Sequence, residues 1–203
     1  MRGSVDEQGE HTMTQTNNPT ESSDVTVILT EDHKLMLELL AEVHTTTDAE
    51  RRRDLVDTAT AEVMRHSVAE EMHVYPAMEE HLPNGTEEVQ HDKQEHDELV
   101  QVMKKLEDVD ASGQEFIDLV REFEKQLEHH ANDEESEQFP KLRTHVPQEK
   151  LAELGEKVET AKKMAPTRPH PNAPHSELFH KTVGPGVGMV DRLRDKLMGR
   201  TTE

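Results

Sequence analysis

Cysteine is absent from the sequence: none of the 203 residues carries a thiol. The chain can therefore form no disulfide bond, no thiolate metal site and no iron–sulfur cluster. A metal ion would have to be held by nitrogen and oxygen ligands. A reducing compartment is compatible with this composition, and we predict a cytoplasmic protein.

Long apolar runs and aromatic side chains are scarce. No stretch of about 18 apolar residues is present, so we expect no transmembrane helix, and we expect no signal peptide because the start lacks an apolar segment. Hydrophobic residues make up 32% of the chain and aromatic residues 2%, without tryptophan. This is little for a core along the whole length, and we predict that the polar residues 1–23 are disordered.

Positive charge is in deficit. The chain has 23 Lys and Arg against 44 Asp and Glu, a net charge of −21. Phosphate groups repel so acidic a chain, so we expect no nucleic-acid partner, and we expect no membrane partner. Histidine, in contrast, is frequent, with 14 residues.

Apolar residues recur at helical spacing in five stretches, and no strand pattern appears. The predicted helices cover residues 25–46, 49–80, 85–110, 113–144 and 148–163. Asp24 and Asp48 are placed to cap the first two helices. Four helices joined by short turns predict an all-α, up-down-up-down four-helix bundle. We assign the bundle to residues 24–146, a short fifth helix to 147–165, and an extended Pro/Gly-rich tail to 166–203, with a possible short helix over 189–199.

One motif occurs twice in the chain. A His and a Glu lie four residues apart, a second Glu follows, and an aromatic-Pro pair ends the motif. The first copy has His66, Glu70, Glu71 and Tyr75-Pro76, and 64 residues later the second has His130, Glu134, Glu135 and Phe139-Pro140. On an α-helix, residues four apart share one face. Each copy therefore presents an imidazole nitrogen and a carboxylate oxygen side by side.

A lone histidine on an apolar stripe precedes each copy: His33 comes 33 residues before His66, and His96 comes 34 residues before His130. The chain thus reads as two similar helical hairpins, which an approximate two-fold axis would relate in a bundle. Charged residues rarely occupy core stripes without a partner. The candidate ligands near the axis are His33, His66, Glu70, His96, His130 and Glu134.

Four imidazoles and two carboxylates suit iron, manganese or zinc. A glutamate can bridge two ions while each ion keeps two histidines, an arrangement that favours two irons with an oxo, hydroxo or water ligand. Zinc would usually settle for four ligands without a bridge. The alternative is a structural acidic helical protein without metal, in which these are ordinary exposed or capping side chains. The matched copies argue against it.

Several further residues remain open as site candidates. His73 is a further ligand, an outer partner or a hydrogen-bonded core histidine, and at most one of His91 and Asp92 adds a ligand. Glu71 and Glu135 could orient a histidine from behind. We expect Tyr75, the single tyrosine, to pack at a helix end.

These motifs, with Glu31-Asp32-His33 and Glu95-His96, resemble the hemerythrin-like proteins of the HHE cation-binding type over about residues 24–145. The resemblance implies a four-helix bundle with a non-haem di-iron site. It also implies that the six candidates are the ligands of two iron ions joined by an oxo or hydroxo bridge. Members of this family bind oxygen reversibly, sense oxygen, iron or redox state, handle nitric oxide, or decompose peroxide.

Two departures bear on which of these functions applies. The oxygen carriers have a His-x3-His pair on the third helix, where this chain has Asp92-x3-His96. Their fourth-helix carboxylate lies five residues after its histidine, whereas Glu134 lies four after His130. The departures favour a protein that acts on or senses oxygen, peroxide or nitric oxide, with catalase-like peroxide breakdown as the enzymatic version. The alternative is an iron-responsive regulatory module whose metal-ordered bundle presents the tail to an unknown protein partner.

Overall fold

The computed structural model describes residues 24–168 of the chain. These residues form seven α-helices and no strand. The helices are α1 (Val25–Thr45), α2 (Ala49–Ala69), α3 (Tyr75–His81), α4 (Gly85–Glu107), α5 (Gln114–Asp133), α6 (Phe139–His145) and α7 (Gln148–Met164). Two π-helical segments, Glu70–Val74 and Glu134–Gln138, join α2 to α3 and α5 to α6. The predictions for residues 1–23 and 169–203, including the tail helix over 189–199, lie outside the described residues.

The helices form four antiparallel rods, because the π segments continue α2 into α3 and α5 into α6. The first rod, α1, packs against α2 and α5, and α4 packs against α3 and α5. The prediction of an all-α, up-down-up-down four-helix bundle is therefore confirmed. Helix α7, the predicted short fifth helix, lies across α1 and α2. Within residues 24–168, no helix has both the length and the apolar character needed to cross a membrane.

The helix starts agree with the turn residues of the sequence. The Asp24 carboxylate accepts a hydrogen bond from the backbone N–H of Thr26 at 2.9 Å, and the Asp48 carboxylate accepts one from that of Arg51 at 2.8 Å. Both therefore satisfy N–H groups that lack a partner within the helix. At the start of α4, a Cβ on Gly85 would clash with the backbone of Met78. Glycine thus permits the tight turn between α3 and α4.

The sequence predicted uninterrupted helices over residues 49–80 and 113–144, with a kink or loosened turn at Pro76, but not the π turns. The backbone N–H of Tyr75 bonds the carbonyl of Glu70, five residues back, and Phe139 bonds Glu134 in the same way. The proline that follows each aromatic has no N–H, and its ring crowds the carbonyl four residues earlier. A wider turn before the proline relieves this crowding. Such π turns are frequent at functional sites.

The core consists of two apolar clusters with a polar layer between them. One cluster contains Met36, Leu40, Val63, Leu99, Phe123 and Leu127 among others. The other includes Leu29, Val74, Tyr75, Val89, Phe139 and Leu154, the last from α7. On α1, His33 falls between residues of the two clusters, and on α4 His96 does the same. The histidines therefore cross the bundle at one level, with apolar packing above and below.

Candidate metal centre

The structure brings all six predicted ligands together in the polar layer. None of them is more than 3% exposed. They come from every rod of the bundle: His33 on α1, His66 and Glu70 on the second rod, His96 on α4, and His130 and Glu134 on the fourth. The heptad-like apolar stripes of these helices carry them inward, because each occupies a core position of its stripe.

The four histidines are arranged as two facing pairs. The Nε2 atoms of His33 and His66 lie 3.1 Å apart, and those of His96 and His130 lie 3.3 Å apart. Behind each ring a carboxylate oxygen faces Nδ1, namely Glu135 at 2.8 Å from His33, Asp32 at 3.4 Å from His66, Glu71 at 3.5 Å from His96 and Glu95 at 3.0 Å from His130.

Those carboxylates select the tautomer of each ring. A carboxylate accepts, so Nδ1 carries the proton and Nε2 keeps its lone pair directed into the layer. Two lone pairs facing each other at about 3 Å repel unless a cation lies between them. The arrangement therefore fits a metal ion, or a proton in its absence, at each histidine pair.

The two glutamates lie between the histidine pairs. Oε2 of Glu70 is 3.1 Å from Nε2 of His66 and 3.4 Å from that of His96. Glu134 contacts His33 at 3.3 Å through Oε2 and His130 at 3.7 Å through Oε1. Each carboxylate therefore touches one histidine of each pair, as a bridging ligand would.

The same glutamates are poorly satisfied by protein donors. Among the described residues, both oxygens of Glu70 and Oε2 of Glu134 are buried without a well-aligned hydrogen bond. An ionised carboxylate buried in this way is costly unless a cation compensates it. The donor set and its unsatisfied oxygens thus fit a metal site made of imidazoles and carboxylates.

The electrostatics of the layer favour positive charge. Burial opposes the imidazolium, but the charge of Glu70 and the hydrogen bond to Asp32 outweigh it and raise the pKa of His66 to about 10. Interactions with the nearby carboxylates of Glu70 and Glu71 likewise overcome burial at His96 and raise its pKa to about 10. Burial would raise the pKa of Glu70, yet the charge of His66 holds it well below its usual value. Without metal, protons supply the positive charge that the carboxylates require.

The two halves of the layer make equivalent contacts, as the internal repeat predicts. Sequence reasoning foresaw that Glu71 and Glu135 could orient histidines, and each contacts the lone histidine of the other half. It missed Asp32 and Glu95, which face His66 and His130. The available signal was an acidic residue immediately before each lone histidine, in Asp32-His33 and Glu95-His96.

The other sequence candidates lie outside the ligand layer. His73 is half-buried and lines a groove beside α7, where burial and the charge of Lys157 lower its pKa. His91 is 55% exposed. Asp92 is buried beside the layer and accepts a hydrogen bond from Nε2 of Gln138 at 2.8 Å. Burial and the charge of Glu134 raise the pKa of Asp92 to about 8, which favours its protonated form at neutral pH in the metal-free protein.

Tyr75 packs at the helix end as expected, but its hydroxyl also reaches the layer. Its ring stacks on that of His96 with 5.7 Å between centroids, and its Oη lies 3.2 Å from Nε2 of His96. Burial and the charge of Glu70 raise the pKa of Tyr75 well above its usual value, so the phenol stays protonated. On the other half Phe139 stacks on His33, at 6.1 Å, without a hydroxyl.

Comparison with known proteins agrees with this geometry. The family model of the hemerythrin HHE cation-binding domain matches residues 24–142. An uncharacterized hemerythrin-like protein of Schizosaccharomyces pombe is 33% identical over 149 residues, which cover 70% of this chain and 73% of that protein. No solved structure gives a significant match to the chain.

Proposed function

Because this chain belongs to the hemerythrin HHE cation-binding family, we propose that it is a cytoplasmic non-haem di-iron protein that acts on or senses oxygen, peroxide or nitric oxide. One observation carries the proposal. The four histidines form two facing pairs, and Glu70 and Glu134 each contact one histidine of each pair. When bound, iron would supply electron exchange with such small ligands, which no side chain of this layer can provide.

The distances support one assignment of the ligands. His33 and His66 would hold one ion, and His96 and His130 the other, because the Nε2 atoms of each couple converge within 3.1 and 3.3 Å. Glu70 and Glu134 would each offer oxygen to both ions. An oxo or hydroxo bridge would complete the centre. Two bridging carboxylates favour iron over zinc, which usually takes four ligands and no bridge.

The surrounding side chains would orient the ligands and hold protons. The carboxylates behind the four histidines keep Nδ1 protonated and make Nε2 more basic. Tyr75 holds a proton at Oη and Asp92 holds one at Oδ2, an atom with no hydrogen-bond partner among the described residues. A neutral acid beside a buried centre can donate a proton to a small oxygen-containing ligand at neutral pH. We propose Asp92 and Tyr75 for this role.

The first test is metal content with an optical spectrum, measured on anaerobically purified protein and then in air. We expect about two irons per chain and near-ultraviolet bands from bridged iron, both lost in His66→Ala. His44→Ala is the matched control, since it removes a partly exposed histidine that pairs with Glu124 at 2.8 Å, away from the layer. No metal, or one tightly held zinc, would contradict the di-iron proposal.

The enzymatic version of the proposal is catalase-like breakdown of peroxide. It predicts oxygen release from hydrogen peroxide by the iron-loaded protein and no release by His66→Ala. Release that is unchanged in that variant would overturn the enzymatic version without touching the metal assignment.

A second candidate function is an iron-responsive module, and one contact favours it. Nζ of Lys162 on α7 lies 2.7 and 2.8 Å from the two oxygens of Asp32, which in turn faces Nδ1 of His66. A metal ion at His66 would change the charge next to Asp32. It would therefore change the strength of the ion pair between Asp32 and Lys162. The centre is thus linked electrostatically to α7, which leads into residues 169–203.

This candidate predicts that metal loading changes the rate of backbone hydrogen exchange in α7. In Lys162→Met the effect should disappear. Lys157→Met is the control on the same helix, because Lys157 pairs with Glu153 at 2.6 Å and not with Asp32. Identical exchange of α7 in the metal-free and loaded wild type would count against a regulatory role.

A further inference from the structure

Two histidines and two carboxylates converge on the outer surface of α4 and α5, outside the buried layer. Nε2 of His91 lies 3.4 Å from Oε1 of Glu95 and 3.9 Å from Oδ2 of Asp133. Nδ1 of His129 lies 3.4 Å from each of the same two oxygens. Each histidine therefore contacts both carboxylates, which is more than two separate ion pairs would require.

The sequence spacing of these four residues is the same as that of the His and Glu residues of the buried layer. His91 and Glu95 are four residues apart on α4, and His129 and Asp133 are four apart on α5, so each helix presents an imidazole and a carboxylate on one face. Two nitrogens and two oxygens are a ligand set for a borderline divalent cation such as zinc. Tetrahedral zinc with ligands at about 2.1 Å separates neighbouring ligand atoms by roughly 3.4 Å. The ligand atoms of His91, Glu95 and Asp133 all lie within 4.8 Å of one another, and Nδ1 of His129 lies 3.4 Å from one oxygen of each carboxylate.

We propose that His91, Glu95, His129 and Asp133 form a second metal site, at the surface, which takes one borderline divalent cation such as Zn²⁺. The rings of His91 and His129 are 55% and 63% exposed, so they can turn to complete the coordination. An open pocket of about 260 Å³ borders His91 and Asp133 and leaves room for the ion to arrive.

The internal repeat does not account for this cluster. The residues 63 or 64 positions before His91, His129 and Asp133 are Ile28, Arg65 and Ala69, none of which supplies a zinc ligand. On that half, Asp32 takes the place of Glu95, and the ammonium of Lys162 satisfies it. The histidines on the Glu95 half are therefore a local feature of α4 and α5.

Glu95 belongs to both sites. Its Oε1 faces His91 and His129, while its Oε2 faces Nδ1 of His130 at 3.0 Å. A cation on Oε1 would draw charge from the carboxylate and weaken its hold on the His130 proton. Occupancy of the surface site would thus be felt at the buried centre. This coupling rests on the proposed function, whereas the surface site itself does not.

The test is titration of the metal-loaded full-length protein with Co²⁺, followed by visible absorption and elemental analysis after gel filtration. We expect one further equivalent of Co²⁺ with the intense visible bands of a low-coordinate ion, displaced by Zn²⁺. His91→Ala/His129→Ala should weaken this binding at least tenfold. His44→Ala, which removes a histidine–glutamate pair elsewhere on the surface, should retain it.

Binding of the extra equivalent by the double variant, or its absence from the wild type, would overturn the surface site. Iron retained in the same samples reports separately on the buried centre, so failure of one site cannot be mistaken for failure of the other. Asp133→Asn serves as a second test because it keeps the side-chain shape and removes one ligand charge. If Zn²⁺ binds without shifting the optical bands of the iron centre, the coupling through Glu95 is wrong.

Discussion

The two halves of the buried layer have similar facing histidines but differ in the surroundings of the carboxylates behind them. In the first half His33 faces His66, and in the second His96 faces His130, with similar Nε2 distances. The carboxylate behind His66 belongs to Asp32, which pairs with Lys162 under the cover of α7. The carboxylate behind His130 belongs to Glu95, which faces two exposed histidines.

This difference shows which part of the site the ligand geometry constrains. The facing nitrogens and the bridging carboxylates must meet within a few tenths of an ångström to share ions, so the two copies of the motif agree there. The outer carboxylates need only accept a hydrogen bond from Nδ1, and they tolerate different neighbours: a largely buried ammonium beside Asp32 and two exposed imidazoles beside Glu95. Burial opposes ionisation of Asp32, yet His66 and Lys162 hold its pKa below its usual value.

The largest expected effect tests the likeness of the inner ligands. His66→Ala and His130→Ala each remove one nitrogen of a facing pair, so each should lower the iron content from about two per chain to one or less. Elemental analysis of the two variants, with His44→Ala as control, measures this. Full iron content in one variant and loss in the other would show that only one of the two histidine pairs is needed to bind iron.

The inner ligands could be predicted from the sequence, whereas the surroundings of the outer carboxylates could not. The helical stripes and the duplicated motif predicted the bundle and the six residues of the layer, because residues four apart on a helix share a face whatever packs against them.

Contacts between helices that are far apart in the sequence could not be predicted from the helical stripes. Lys162 reaches Asp32 across 130 residues, and only the docking of α7 on α1 and α2 brings them together. The π turns were missed since their cause, a proline acting on the carbonyl four residues earlier, also fits a simple kink. Tyr75 follows directly after a π turn, and its hydroxyl contacts His96 on another rod, which a straight helical wheel does not show.

The pH dependence of the metal-free protein tests whether the buried histidines of the two halves are protonated in the absence of metal. His66 in one half and His96 in the other both have their pKa raised to about 10. Groups with a raised pKa stabilise the fold fully below their ordinary value of about 6.5, and that contribution is lost as the pH rises towards 10. Glu70, with a lowered pKa, contributes in the opposite direction and loses its contribution as the pH falls through the acidic range.

We therefore expect the metal-free protein to melt at its highest temperature between about pH 5 and 6.5, and to lose a few kcal/mol of unfolding free energy by about pH 10. Metal ions would replace those protons, so the loaded protein should lose less over the same range. Thermal denaturation of both forms from acidic to alkaline pH measures the difference. Parallel curves for the two forms would mean that the histidines of the layer are not the titrating groups.

A smaller effect separates the outer partners of the halves. Lys162 and Asp32 are each 15% exposed, so Lys162→Met leaves a largely buried carboxylate facing His66 and should cost the metal-free protein about 1–3 kcal/mol. His91→Ala removes an exposed partner of Glu95 and should cost less than about 0.5 kcal/mol. Urea denaturation gives both values, with Lys157→Met as the control on α7. Equal costs for the two variants would show that the Lys162–Asp32 ion pair stabilises the first half no more than His91 stabilises the second.

The smallest expected effect on the binding of iron comes from making the halves more alike, with Tyr75→Phe. The ring of Phe139 already stacks on His33 without a hydroxyl, so a phenylalanine ring should stack on His96 with a stability change within about 1 kcal/mol. Iron content should stay the same, since the phenol is not among the assigned ligands. The reaction with peroxide should slow if Oη of Tyr75 supplies a proton, because the variant lacks that donor. Stopped-flow mixing of the loaded protein with peroxide measures the rate, and an unchanged rate would leave Asp92 as the sole proposed donor beside the layer.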